Sequence, residues 1–146
     1  LSRALNLIDE DFFFRVSNAI ADGNSAEIFK VSSDLAEGGY DVGECLKGLS
    51  EHFRHLLYTS IMSSSPAAQF SLATRKKLED TAAKFDRKRL LAIMRMLIDS
   101  EKEIRFASQA MIRFEATLLA LTEIPQVNEI SQLIAEIQNV KKKALN

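Results

Sequence analysis

The sequence predicts an all-α fold, a bundle of about six to seven helices. Only five glycines and two prolines punctuate 146 residues, leaving long stretches free of helix breakers. Apolar residues recur mostly at spacings of three and four, and no segment shows a convincing strand pattern. Asp, Asn or Ser precedes most of these stripes, where its side-chain oxygen can accept from the unpaired N–H groups of a first helical turn.

In the first helix, Asp9 and Asp11 lie ahead of Phe12, Phe13, Val16 and Ile20, which places carboxylates at the positive end of the dipole, and Gly23 stops the run. Asn24 caps the second, with Glu27 three residues on in a capping-box-like pair and Ile28, Val31 and Leu35 as its stripe before Gly38 and Gly39. Asp41 and Glu44 repeat the cap ahead of the clearest stripe in the chain: Val42, Cys45, Leu46, Leu49, Phe53, Leu56 and Leu57. Ser63, Ser64, Ser65 and Pro66 break that helix, because serine competes for backbone hydrogen bonds and the residue before proline disfavours the helical region.

Ser71 caps a short helix through Leu78, Ala82 and Phe85, and Asp86 caps a long one carrying Leu90, Leu91, Met94, Leu97, Ile98 and Ile104. The next stripe, Met111, Phe114, Leu118 and Leu121, runs up to Pro125; near Ser108 it either separates from the preceding helix or continues it. Ile130, Leu133, Ile137 and Val140 mark an amphipathic terminal helix ending in Lys141, Lys142 and Lys143. The expected division is a helical domain over residues 1–124 and a terminal helix or start of a linker over 125–146.

Composition limits the function. With 19 Lys and Arg against 20 Asp and Glu, no overall field draws the chain to nucleic acid or anionic lipid. A lone Cys45 forms no internal disulfide, and no apolar run approaches the roughly 20 residues that span a bilayer. The opening Leu1 suggests a piece of a longer protein. His52 and His55 are three apart, Glu51 precedes both, and no second cysteine joins Cys45; the His-Glu-x-x-His pattern of a helical zinc site is absent, and both imidazoles fall towards the edges of the apolar stripe. No glycine-rich loop fits a phosphate, and no serine stands in a recognisable set with a base and its orienting group. The chain is therefore expected to hold no catalytic, cofactor or metal residues. Arg75, Lys76, Lys77, Lys84, Arg87, Lys88 and Arg89 outnumber the acids of their stretch but have only Phe85 among them, so a solvated basic face is expected, with DNA contact indirect or weak. Met94 and Met111 fall on core stripes and Met96 off them.

The run "DEDFFFRVSNAIADGNSAEIFKVSSDLAEGGYDVGECLKGLSEHFRHLLYT" resembles the start of the third, helical domain of the gamma/tau subunit of bacterial DNA polymerase III, the clamp-loader ATPase. Phe53, Arg54, Leu56 and Leu57 fit the family's Phe-Arg-x-Leu-Leu element. Downstream, "KFDRKRLLAIMRMLIDSEKEIRFASQAMIRFEATLLAL" is similar to its second signature, with Glu103, Arg105, Ser108 and Gln109 in place and Arg113 and Glu115 as its Arg-x-Glu pair. The likeness covers about residues 5 to 122. Ala110 departs from it, standing where the family usually has proline, and residues 125–146 fall outside it. The resemblance implies a collar: an oligomerisation domain joining copies of gamma/tau to the delta and delta-prime subunits in a five-membered cytoplasmic assembly that places a sliding clamp on primed DNA. It implies ATP and Mg2+ on ATPase domains upstream of Leu1, helicase- and polymerase-binding parts of the longer tau form beyond Asn146, and an accessory clamp-loader protein docking on some members. The competing expectations are a free-standing helical adaptor using the terminal helix and a small metal-dependent enzyme using His52 and His55. Arg54, on the first element, is expected to pair with Glu115 on the second.

Phe53 is expected in the core, so Phe53→Ala should lower stability by about 3–5 kcal/mol, as truncation of a buried aromatic does. Denaturant midpoints check this; a loss below about 1 kcal/mol would place Phe53 outside the core.

Overall fold

A computed structural model describes residues 8–62, 70–125 and 127–145. These form seven helices and no strand: α1 (Glu10–Asp22), α2 (Ser25–Glu37), α3 (Val42–Met62), α4 (Leu72–Ala82), α5 (Arg87–Arg105), α6 (Ala110–Thr122) and α7 (Val127–Leu145). The break expected at Ser63 to Pro66 lies outside the described residues.

The helix starts follow from local chemistry. Asp9, Asn24, Asp41, Ser71 and Asp86 each accept a first-turn backbone N–H on a side-chain oxygen. The Asn24 cap is not reciprocal, however, because the Asn24 N–H goes to the Ala19 carbonyl and Glu27 turns to Arg15 instead. Asn24 is thereby also the closing residue of α1: its bond to Ala19 and the Gly23 N–H bond to Ile20 make a Schellman turn, with Gly23 at φ 64° where a side chain would be strained. The α1–α2 hairpin is tight because one residue both ends one helix and starts the next.

α5 and α6 are separate helices. α5 stops at Arg105, and α6 begins at Ala110 after Gln109, which supplies no side-chain cap. Ala110 thus occupies the first helical position, where a proline is accommodated because its missing N–H would have had no partner in the helix.

Helix α3 is the central element. It packs most extensively on α5 and also meets α4, α1 and α6, while α6 closes the bundle against α2, α5 and α1. Leu46, Leu49, Phe53 and Leu56 of α3 are fully buried, facing a core that includes Leu90, Ile93 and Leu97 of α5 and Phe114, Leu118 and Leu121 of α6. Gly48 lets α1 approach: a Cβ there would sit 2.3 Å from Cζ of Phe13. Met96, off the stripe in sequence, nevertheless packs with Met94 and Met111 against this core, its long unbranched side chain reaching inward from the boundary. Among the described residues, none of α7 belongs to the core, and no extensive packing joins it to the other six helices.

His52 corrects the expectation that both imidazoles lie at the edge of the α3 stripe. It is 7% exposed, stacked on Phe13 with centroids 6.0 Å apart and met edge-on by Phe14 at 4.7 Å and Phe53 at 5.8 Å. Nε2 lies 2.9 Å from Ser17 Oγ, whose own proton goes to the Phe14 carbonyl, so the imidazole donates from Nε2. Position 52 is buried because α1 lays Phe13 and Phe14 across this side of α3, covering a face that the α3 sequence alone leaves at the margin. His55 is half-buried and meets Phe70 edge-on at 5.0 Å.

Burial, with a smaller contribution from His55, pushes the His52 pKa down to about 3. The unfolded chain binds this proton near 6.5 and the folded chain only near 3, so the stability carried by neutral His52 is complete above about pH 6.5 and is lost as pH falls through that window. Between about pH 6 and about pH 4.5, urea unfolding should show the wild-type chain losing about 2 kcal/mol more than His52→Gln. Equal losses would mean that the imidazole titrates normally in the folded state.

Candidate interaction surface

Among the described residues, no group of three or more His, Cys, Asp and Glu side chains gathers as a metal site would require. Cys45 is buried on α3, and desolvation pushes its thiol up to about 12, which keeps it in the unreactive thiol form. A groove of about 480 Å³ between the start of α1 and the end of α2 is lined by Ile8, Phe12, Leu35 and Tyr40, with Asp9, Asp34 and Glu37 among its polar groups. Among the described residues, its lining holds no histidine, cysteine, serine or lysine. The glycines build no phosphate cradle either: Gly23, Gly38 and Gly39 close helices, and Gly43 and Gly48 lie within α3.

The residues singled out from sequence divide into two sets. Phe53 and Leu56 are fully buried, and Leu57 is partly buried against the same core. Arg54, Arg105 and Arg113 are exposed on α3, α5 and α6, and Glu115 is half-buried on α6. Arg54 and Glu115 form no ion pair; Arg54 is on the solvent side of α3, opposite the stripe that meets the bundle. The expected pair is therefore absent. Arg105 bonds instead to Glu101 one turn back, at 3.1 Å, and its Nε lies beside Gly43 at the start of α3.

The basic stretch 75–89 is largely committed to intramolecular work. Lys76 pairs with Asp80, Lys77 with Asp11 and Lys84 with Asp22. Arg89 is 5% exposed and turns inward, donating to the carbonyls of Ile20 at 2.7 Å and Ala21 at 3.3 Å while its guanidinium lies 5.1 Å from the Phe85 ring centroid. Three cations in the first turn of α5 would oppose its dipole; Arg89 offsets this by reaching the negative end of α1. The expectation of a uniformly solvated basic face thus fails at Arg89, because the α1 carbonyls it satisfies are nearly 70 residues away in sequence.

What remains outward is a mixed face on α5. Leu91 and Ile98, seven residues apart, are 39% and 55% exposed, with Arg95 between them and Lys102 one turn further along the same stripe. Phe106, at the α5 C-terminus, is 84% exposed, and Ile112 of the adjoining α6 is 62% exposed. Apolar side chains alternating with arginine and lysine stems suit a protein partner. Spacing places Leu91 and Ile98 on the apolar stripe of α5, but the structure turns both outward, because Leu90, Ile93 and Leu97 fill the side that meets the core.

A closed helical core and a mixed outer face define an all-α helical-bundle domain. The family model of DNA polymerase III subunits gamma and tau, domain III, matches residues 2–137, and the chain belongs to that family. The match extends into α7, beyond the limit near residue 122 expected from the sequence. A search among curated proteins found no significant match. Membership places the domain in the DNA polymerase III clamp-loader complex. No helix among the described residues is long and apolar enough to cross a membrane.

Arg89→Met should destabilise the bundle by about 2–4 kcal/mol, because two carbonyls at the end of α1 lose charged hydrogen bonds. Hydrogen exchange should rise at the amides of the α1–α2 turn. A variant as stable as the parent chain would show that water serves those carbonyls equally well.

Proposed function

We propose that this domain is a collar, holding copies of the gamma/tau subunit together with the delta and delta-prime subunits while clamp-loading ATPase modules move. The observation that carries this reading is the outer face of α5, where Leu91, Ile98 and Phe106 are exposed beside Arg95 and Lys102 although the core beneath is complete. A rigid bundle with a second, partly apolar face is what a subunit-joining domain requires. The reaction belongs elsewhere on this reading: ATP and Mg2+ bind ATPase domains upstream of Leu1, and the five-membered assembly works in the cytoplasm on primed DNA, which this domain does not read. An accessory clamp-loader protein docking on the same bundle fits the reading as well.

Ile98→Asp, introduced into the full subunit and mixed with its delta-type partners, should lower the yield of complete assembly at least tenfold by mass photometry, as a charge at the centre of an apolar contact does. The melting temperature should stay close to that of the parent, since Ile98 is outside the core. Undiminished assembly would remove α5 from the interface. By itself, the 146-residue chain should remain monomeric or associate weakly; a tight pentamer independent of concentration would contradict a collar that relies on its ATPase domains.

A further inference from the structure

Helix α7 is amphipathic, and the described residues of its apolar side face outward. Leu133, Ile134, Ile137 and Val140 are 51–68% exposed. They do not extend the α5 face, because α7 has no extensive packing on the bundle. In sequence, Ile130, Leu133, Ile137 and Val140 alternate spacings of three and four, the a and d positions of a heptad. An Ile at a followed by Leu at d favours two parallel strands. Counting on from Ile137 at a, Glu136 falls at g and Lys141 at e. In a parallel pair, g of one helix meets e of the next heptad on the other, so Glu136 of each chain faces Lys141 of its partner, twice across the seam. An antiparallel pair that overlaps these four apolar positions, with Ile137 against Leu133 of the other copy, instead brings the two Glu136 side chains near each other, which is repulsive.

We propose that α7 pairs in parallel with α7 of a second copy of this chain, through a short two-stranded coiled coil. This rests on the collar reading only in that the assembly brings copies together; the seam itself is written in α7. A 19-residue helix carries little more than two heptads, so the pair is weak in isolation and gains its strength from the raised local concentration inside an assembly.

Disulfide trapping tests this in the 146-residue chain at concentrations in the hundreds of micromolar. The natural Cys45 is buried and stays silent. In a parallel coil, like d positions meet, so Val140→Cys should cross-link to a covalent dimer at least tenfold faster than Ala135→Cys on the opposite side of the helix. Adding Ile137→Asp should abolish that advantage. Glu136→Lys or Lys141→Glu alone should slow the Val140→Cys link about two- to fivefold, and the two together should restore it. Equal rates at positions 135 and 140, or insensitivity to Ile137→Asp, would overturn the pairing. Preferential linking of Val140→Cys to Ile130→Cys would overturn the parallel arrangement. Ile98→Asp should leave every one of these rates unchanged, so a failure of the α5 interface and a failure of the α7 seam are told apart.

Discussion

The neutral imidazole of His52, enclosed by Phe13, Phe14 and Phe53, is the contact on which the bundle depends. It binds α1 to the middle of α3 with a polar bond to Ser17 inside an aromatic cluster, and Phe53 continues the chain of rings to Phe85 at 5.8 Å, where α4 gives way to α5. Three separate parts of the chain are thereby fixed around one site. A hydrocarbon in place of the imidazole would fill the space but leave Ser17 Oγ without its donor; a charged imidazole would keep the donor and carry a charge that no solvent reaches.

A second tie operates at the end of α1. Phe85 lies beneath the Arg89 guanidinium, and Arg89 holds the last carbonyls of α1, so the α4–α5 junction is anchored to the α1–α2 turn as well as to α3. The ionic contacts around it, Lys77 with Asp11 and Lys84 with Asp22, join the same α4 and α1 segments at the surface, where each contributes little. The order of strength is clear from burial: rings and the enclosed guanidinium fix the geometry, and the surface pairs follow it.

Much of this was legible in the sequence because it is local. Asp9, Asn24, Asp41, Ser71 and Asp86 act on N–H groups two or three residues away, and the stripe of α3 shows its buried face through spacing, whereas that of α5 includes Leu91 and Ile98, which turn outward. The burial of His52 was not legible, since Ser17 is 35 residues distant and only the docking of α1 covers position 52. Arg89 was hidden for the same reason among seven basic residues, as was the inward reach of Met96. The Arg54–Glu115 pair was wrongly expected because two family-like elements were assumed to face one another through their charges, whereas they meet through their apolar sides. On the outer surface, the sequence showed an amphipathic terminal helix that needs a partner but not that the bundle leaves it uncovered.

The start of α6 has a mechanical consequence. Gln109 gives no side-chain cap, and Ala110 keeps an N–H that a proline would not have, so the corner between α5 and α6 is closed by fewer bonds than the start of α1, α2, α4 or α5. The corner also carries the exposed Phe106 ring. The α5–α6 corner is therefore held by its backbone turns and by packing, whereas the starts of α1, α2, α4 and α5 are also tied by a side chain.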